Sequence, residues 1–185
     1  LLLEFTATAD LSNPQIETKY SDKLIFDYPL KQFRIDGYSK EVKVLQVDLL
    51  SKFDRSIQAI LFSQYRLKVF QKYKQLIKPI ILFKSKTIEE SQNFFDEFVK
   101  GIKNLKVSYL EKIKNSNSDE VILKMFKYFE DNNISLENLI AELIEDFSED
   151  KIISVNSKNE SEEKQLAVNS LEEKNNKYRA VFAVD

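Results

Sequence analysis

The sequence predicts an α/β chain, an incomplete doubly wound parallel sheet with an α-helical insertion. Three observations carry that prediction. First, Ile80-Ile81-Leu82-Phe83, Ile152-Ile153-Ser154-Val155 and residues 178–184 are short, nearly continuous apolar runs, the pattern of strands in a parallel sheet. Second, the chain between them has helical periodicity. Third, the order strand, helix, insertion, strand, helix, strand is that of parallel crossover units. The prediction requires the three runs to lie side by side and point the same way.

Residues 1–5 (Leu-Leu-Leu-Glu-Phe) have the look of a buried strand's end, which Thr6-Ala7-Thr8 leaves. Asn13-Pro14 marks a loop. Residues 23–28 have the composition of a short strand, Pro29 and Asp36-Gly37 punctuate a connector, and residues 41–47 alternate like an edge strand. Asp48 is a suitable cap for a long helix ending at Ile77, before Lys78-Pro79. Its apolar face shifts partway. Phe53, Ile57, Ile60 and Leu61 share one side, and Val69, Phe70, Tyr73 and Ile77 nearly the opposite one. Such a helix packs on two neighbours or breaks near Ser63.

After the run at residues 80–83, Thr87 and Glu90 read as a capping box. The helix they open buries Ile88, Phe95, Phe98, Val99 and Ile102, with Gly101 near its end. Residues 104–148 read as helical hairpins. One helix carries Tyr109, Leu110 and Ile113. A second, capped by Ser118, carries Ile122, Met125, Phe126 and Phe129 and breaks at Asn132-Asn133. A third, capped by Ser135, has the clearest stripe in the chain: Leu136, Leu139, Ile140, Leu143, Ile144 and Phe147. Ile134 against Leu139 is its hydrophobic staple. A helix over roughly 161–173 separates the last two strands.

Composition narrows the chemistry. The 185 residues include 14 Phe and 8 Tyr, ample for a core. There are no His and no Cys, which excludes His- or Cys-based zinc sites, a Ser-His-Asp triad and a Cys–His nucleophile. The two glycines, Gly37 and Gly101, lack the spacing of a phosphate-wrapping Walker A loop or a GxGxxG turn. No apolar run approaches the roughly 18 residues of a membrane span, no signal peptide is visible, and a Cys-free chain fits a cytoplasmic setting. The sole Met is Met125, and both ends fall in apolar runs, so the expectation is a piece of a longer protein.

Charge is unevenly placed. From Arg55 to Ile88 no Asp or Glu occurs, while Arg55, Arg66, Lys68, Lys72, Lys74, Lys78, Lys84 and Lys86 are basic. Residues 119–150 are the reverse, with many carboxylates against Lys124 and Lys127. A basic run with interleaved aromatics suits a phosphate backbone; the plainer reading is a solvated helix exterior. The acidic hairpins are expected to face solvent or a protein.

Several stretches carry a family resemblance. Leu3-Glu4-Phe5-Thr6-Ala7-Thr8-Ala9-Asp10 resembles motif III of superfamily 2 helicases, in the version found in the Res (restriction) subunit of type III restriction enzymes. Asp36-Gly37-Tyr38-Ser39-Lys40-Glu41-Val42 resembles that family's linker motif. Pro79-Ile80-Ile81-Leu82-Phe83-Lys84-Ser85-Lys86-Thr87 resembles motif IV, and residues 168–185 the approach to motif V. The resemblance implies two RecA-like domains sandwiching ATP and Mg in the parent protein. Residues 1–22 would then be a strip of the first domain and 23–47 a linker. Residues 48–104 would start the second, 105–148 would be a helical insertion, and 149–185 a truncated continuation. Walker A, Walker B, motif VI and the nuclease would lie outside this sequence, so no cofactor and no catalytic residue is expected within it. Implied partners are DNA and a methyltransferase (modification) subunit.

The resemblance gives Thr6, Ala7 and Thr8 a coupling role between nucleotide and DNA sites; the plainer reading is a strand-end turn. Independently, ligands of open α/β sheets gather at the carboxyl ends of strands. Here those ends bring Lys84, Ser85, Lys86, Thr87, Asn156 and Lys158. With Thr87 opening a helix whose N–H groups suit phosphate, these six are the expected DNA-backbone contacts. The alternative is that Thr87 only caps and the lysines only solubilise. Glu89, Glu90, Glu162 and Glu163 sit in helix first turns, where negative charge is expected without catalysis. Two other functions fit the same residues: a self-contained α/β protein-interaction module, or a piece of another superfamily 2 helicase.

Overall fold

The computed structural model describes residue 4 and residues 10–39, 51–116, 119–157 and 161–184. These fall in two compact units, residues 1–46 and 47–185.

In the first unit, helix α1 (Pro14–Tyr20) stands where Asn13-Pro14 suggested a loop. The same dipeptide explains the difference. Asn13 accepts from the Gln15 N–H as N-cap, and Pro14 takes the first helical position, where its missing N–H costs nothing. The strand expected at residues 23–28 does not form; Ile25 and Phe26 are 85% and 77% exposed there. No described segment offers these residues a ladder partner, and an unpaired strand is not stable alone. Pro29 instead precedes a short helix, α2 (Leu30–Ile35). It ends in a Schellman turn, with Gly37 at φ +80° and the Tyr38 N–H donating to the Phe33 carbonyl. The strand ends and edge strand expected at residues 1–5 and 41–47 involve residues outside those described.

The second unit begins with α3 (Lys52–Lys72). Asp48 lies outside the described residues, and the cap is Ser51, whose hydroxyl accepts from the Asp54 N–H while Asp54 accepts from the Ser51 N–H. The helix ends before Ile77 because Lys74 adopts φ +56° in another Schellman turn. A lysine in that conformation costs about 1 kcal/mol, and the satisfied carbonyls of Phe70 and Gln71 offset it. No break occurs near Ser63. The helix runs straight through, its Ile57, Ile60 and Leu61 fully buried, and packs against several neighbours. The second apolar side stays half-buried or exposed, Tyr73 being 69% accessible.

The sheet has three parallel strands: β1 (Ile81–Ser85), β2 (Ile152–Val155) and β3 (Ala180–Val184). The last strand in sequence is central, in the order β1-β3-β2. Ile81 and Ile152 both align with Ala180, and Phe83 and Ser154 with Phe182. This is the parallel α/β sheet that the sequence predicts for an incomplete RecA-like domain. Its two faces are unequal. Phe83 and Phe182 meet at 4.8 Å, and α4 (Ile88–Lys103) brings Phe94, Phe95 and Phe98 to within 5.3 Å of the Phe182 ring. On the other face Leu82 is 57% exposed, so the continuous apolar run of β1 is not covered on both sides. In α4, Phe94 joins Phe98 and Ile102 in the core, while Phe95 and Val99 are half-buried.

Helices α5 (Val107–Ser116), α6 (Glu120–Asp131) and α7 (Leu136–Asp146) form the predicted hairpins. Ser118 lies outside the described residues, and the α6 cap is Asp119. Its carboxylate accepts from the Val121 N–H, and a carboxylate at a helix start also gains from the dipole. Ile122, Met125, Phe126 and Phe129 of α6, and Leu139, Ile140 and Leu143 of α7, are buried in the same core as α3, α4 and the sheet. The region is thus built into the domain. Two bases of α3 meet it: Lys68 pairs with the Glu142 carboxylate at 2.7 Å, and Lys72 donates to the neutral Asn132 amide oxygen at 3.0 Å. Part of the basic run is therefore committed to the hairpins. A 3-10 turn (Glu149–Lys151) leads into β2, and α8 (Glu162–Asn169), capped by Ser161, follows it. Among the described residues no helix is long and apolar enough to cross a membrane.

Candidate nucleic-acid interface

Because the strands are parallel, their carboxyl ends share one edge of the sheet. Ser85 aligns with Val184, and Val155 with Ala183. Asn156 follows directly and is buried at 8% exposure. The structure thereby brings Lys84, Ser85, Lys86, Thr87 and Asn156 to a common edge. Lys158, Thr6, Ala7 and Thr8 lie outside the described residues.

Strand alternation divides the run at β1. Lys84 falls on the same face as Leu82 and is exposed. Ser85 points the other way, with Phe83, and is 6% exposed. Its hydroxyl accepts from the Lys52 ammonium at 3.1 Å. Lys86 and Thr87 turn outward and are exposed.

Thr87 caps α4 as expected, its hydroxyl accepting from the Glu90 N–H at 3.1 Å. The reciprocal half of the box is displaced by one residue: the Glu90 carboxylate accepts from the Lys86 N–H at 3.2 Å. At rest, then, one N–H at this end of α4 is answered by a hydroxyl, and the N–H just before the cap by a carboxylate.

Sequence reasoning missed Lys52. With the cap placed at Asp48, nothing singled out Lys52. Ser51 followed by Asp54 is itself a capping signature, and it would have put Lys52 at the first helical position. The half-buried ammonium lies 4.7 Å from the Phe94 ring centre. The turn beneath it is held from the side by Tyr109 of α5, whose hydroxyl donates to the Asp54 carboxylate.

A second missed residue stands at the opposite end of the sheet. Arg179, just before β3, is 4% exposed. It pairs with Asp146 at 2.7 Å and donates to the Ser63 hydroxyl at 3.1 Å, the Pro79 carbonyl at 3.3 Å and the Gln64 side chain at 3.4 Å. Its guanidinium also stacks 5.0 Å from the Phe147 ring. Burial lowers its pKa and Asp146 acts against that shift; arginine nonetheless stays charged. Nearby, burial and the Arg179 charge lower the Lys78 pKa, and its ammonium donates to the Asn176 carbonyl. This cluster clamps elements together, and its arginine is buried.

An open hollow of about 410 Å³ lies between α8 and the approach to β3, lined by residues including Leu166, Ser170, Asn176 and Tyr178. None of the predicted contact residues lines it. Among the described residues no group of three or more acidic, His or Cys side chains could hold a metal ion.

Against curated proteins, the chain is similar to one from Haemophilus influenzae (strain ATCC 51907 / DSM 11121 / KW20 / Rd). That protein is named "Probable type III restriction-modification enzyme HindVIP Res subunit". The two are 32% identical over 171 residues, which is 85% of this chain and 33% of the relative. The chain therefore spans about a third of the relative's length. No protein-family model matches the chain, and no solved structure matches it.

Proposed function

We propose that this chain, which resembles the Res subunit of type III restriction-modification enzymes over most of its length, is part of an ATP-dependent DNA translocase. It supplies the first part of the second motor domain and touches the DNA backbone through the carboxyl edge of its sheet. The observation that carries this reading is the parallel register. It brings Lys84 and Ser85 of β1, with Lys86 and Thr87 just beyond it, to the same edge as Asn156, which follows β2. Ligands of open parallel sheets bind at such edges.

On this reading the motif III-like Thr6-Ala7-Thr8 couples the DNA edge to a nucleotide site elsewhere in the intact protein. ATP and Mg bind at that site, and the chain itself supplies no catalytic residue. Residues 1–22 belong to the first motor domain, 23–47 to the linker, and 48–104 with 149–185 to the second. The 105–148 region is integrated with that second domain through its shared core. The partners are DNA and a modification subunit, and the setting is cytoplasmic.

The test is single-stranded DNA binding by the intact protein that carries this chain, measured across a salt series. Each phosphate contact contributes about 0.7 to the slope of log affinity against log salt for single strands. Lys84→Ala with Lys86→Ala is expected to weaken binding and lower that slope by about 1 to 1.4. Unchanged affinity together with an unchanged slope would remove the edge from the interface.

A further inference from the structure

We infer that Lys52 is a further phosphate-contacting cation of this edge, poised to exchange the Ser85 hydroxyl for a phosphodiester oxygen of single-stranded DNA. The inference rests on the DNA-edge reading above and extends it to a residue outside the motif-like run.

Four features of Lys52 point there. It occupies the first position of α3, where the helix dipole disfavours a cation. A lysine kept at such a position for stability alone is poorly placed. Its ammonium can donate three hydrogen bonds and makes one to a neutral acceptor, Ser85 Oγ. The Phe94 ring supplies a second, weaker contact. Among the described residues no carboxylate pairs with it, in contrast to Lys68, Lys103, Lys114 and Lys177, each of which has one. The adjacent acid, Asp54, is turned away: it is engaged by the Ser51 N–H and hydroxyl and by the Tyr109 hydroxyl.

The anchorage matters as much as the charge. The Ser51–Asp54 box fixes the first turn of α3, and Tyr109 fixes the box against α5. The ammonium thus stands over the carboxyl end of β1 with its stem half-buried against Phe94. A preorganised cation loses less freedom when an anion arrives than a mobile surface lysine does. A phosphate oxygen replacing Ser85 Oγ converts a neutral acceptor into a charged one, and charge-assisted hydrogen bonds are the stronger kind.

The experiment uses the intact protein, an oligothymidine strand and fluorescence anisotropy over a salt series, with Lys52→Gln, Lys52→Arg and the Lys84/Lys86 double variant compared. Lys52→Gln is expected to weaken binding roughly 3- to 10-fold and lower the salt slope by about 0.7. Lys52→Arg keeps the slope, since the charge stays. A loss that is structural rather than electrostatic would leave the slope unmoved, and that result overturns the inference. So does Lys52→Gln matching the unsubstituted protein while the Lys84/Lys86 variant weakens binding; Lys52 alone then fails and the edge stands. If the unsubstituted protein does not bind the strand, the edge reading fails and takes this inference with it.

Discussion

The Arg179 guanidinium donates to the Asp146 carboxylate at 2.7 Å, joining the start of β3 to the end of α7. Arg179 is nearly inaccessible and Asp146 partly so, at 5% and 25% side-chain exposure. The same guanidinium reaches Ser63 and Gln64 of α3 and the Pro79 carbonyl before β1. One side chain thus cross-links the central strand, the long helix, the hairpin region and the entry to the first strand.

Removing one partner of a buried ion pair leaves the other uncompensated, at a cost of about 3–5 kcal/mol. Arg179→Ala is expected to fall in that range by urea denaturation. Asp146→Asn is expected to cost less, because Arg179 keeps its neutral acceptors on α3 and at Pro79. If the two substitutions prove equal, the cross-link owes everything to the ion pair and the other three contacts contribute nothing measurable.

This clamp also marks where sequence reasoning stopped. The strands were legible because a parallel sheet needs continuous apolar runs of four or five residues, and residues 152–155 match β2 in full. The α6 stripe was legible for the same kind of reason: all four residues read as its apolar face are buried. Arg179 was not, because its role depends on Asp146, Ser63 and Pro79, which only the fold brings together. Lys52 was hidden by a misplaced helix start. In the first unit, residues 23–28 have strand composition but no described ladder partner, and composition cannot supply one. Of the candidate edge, the alignment of carboxyl ends could be read from strand direction. That Ser85 faces inward and Lys84 outward depends on register, which the apolar run does not fix when both neighbours are polar.

Gly101 offers a sharper test of packing. It sits inside α4, where glycine is weaker than alanine by roughly 1 kcal/mol, so propensity alone favours replacement. A Cβ at this position would stand 2.2 Å from Phe53 Cε2 and 2.3 Å from Cζ. The Phe53 ring is itself held edge-on to Tyr109 at 6.1 Å. Gly101→Ala is therefore expected to destabilise by about 1–2 kcal/mol net of its propensity gain. In a Phe53→Leu background the clash is relieved and the same substitution is expected to turn neutral or stabilising. A double-mutant cycle by thermal unfolding measures this coupling; a coupling near zero would show that the ring swings aside freely.

Acid sensitivity of the hairpins follows from Glu130 at the end of α6. Its hydrogen bond and attraction to Lys114 of α5 hold the carboxyl below the ordinary glutamate range. With the folded pKa depressed, the unfolded chain binds the proton more readily over the interval between the two values. Stability from this pair is thus complete above the unfolded pKa and is lost as pH falls through the folded one. Both side chains are largely exposed, at 40% and 58%, so salt screens the pair and the effect is modest. Glu130→Gln is expected to flatten the fall of Tm between neutral pH and about pH 3 by lowering Tm slightly at neutral pH and leaving it unchanged at the acid end, most visibly at low ionic strength. Lys114→Gln should flatten it similarly, since either substitution removes the interaction that separates the two pKa values. Parallel acid limbs in all three proteins at low salt would mean that the contact between α5 and α6 rests on Leu110, Ile113, Ile122 and Met125 alone.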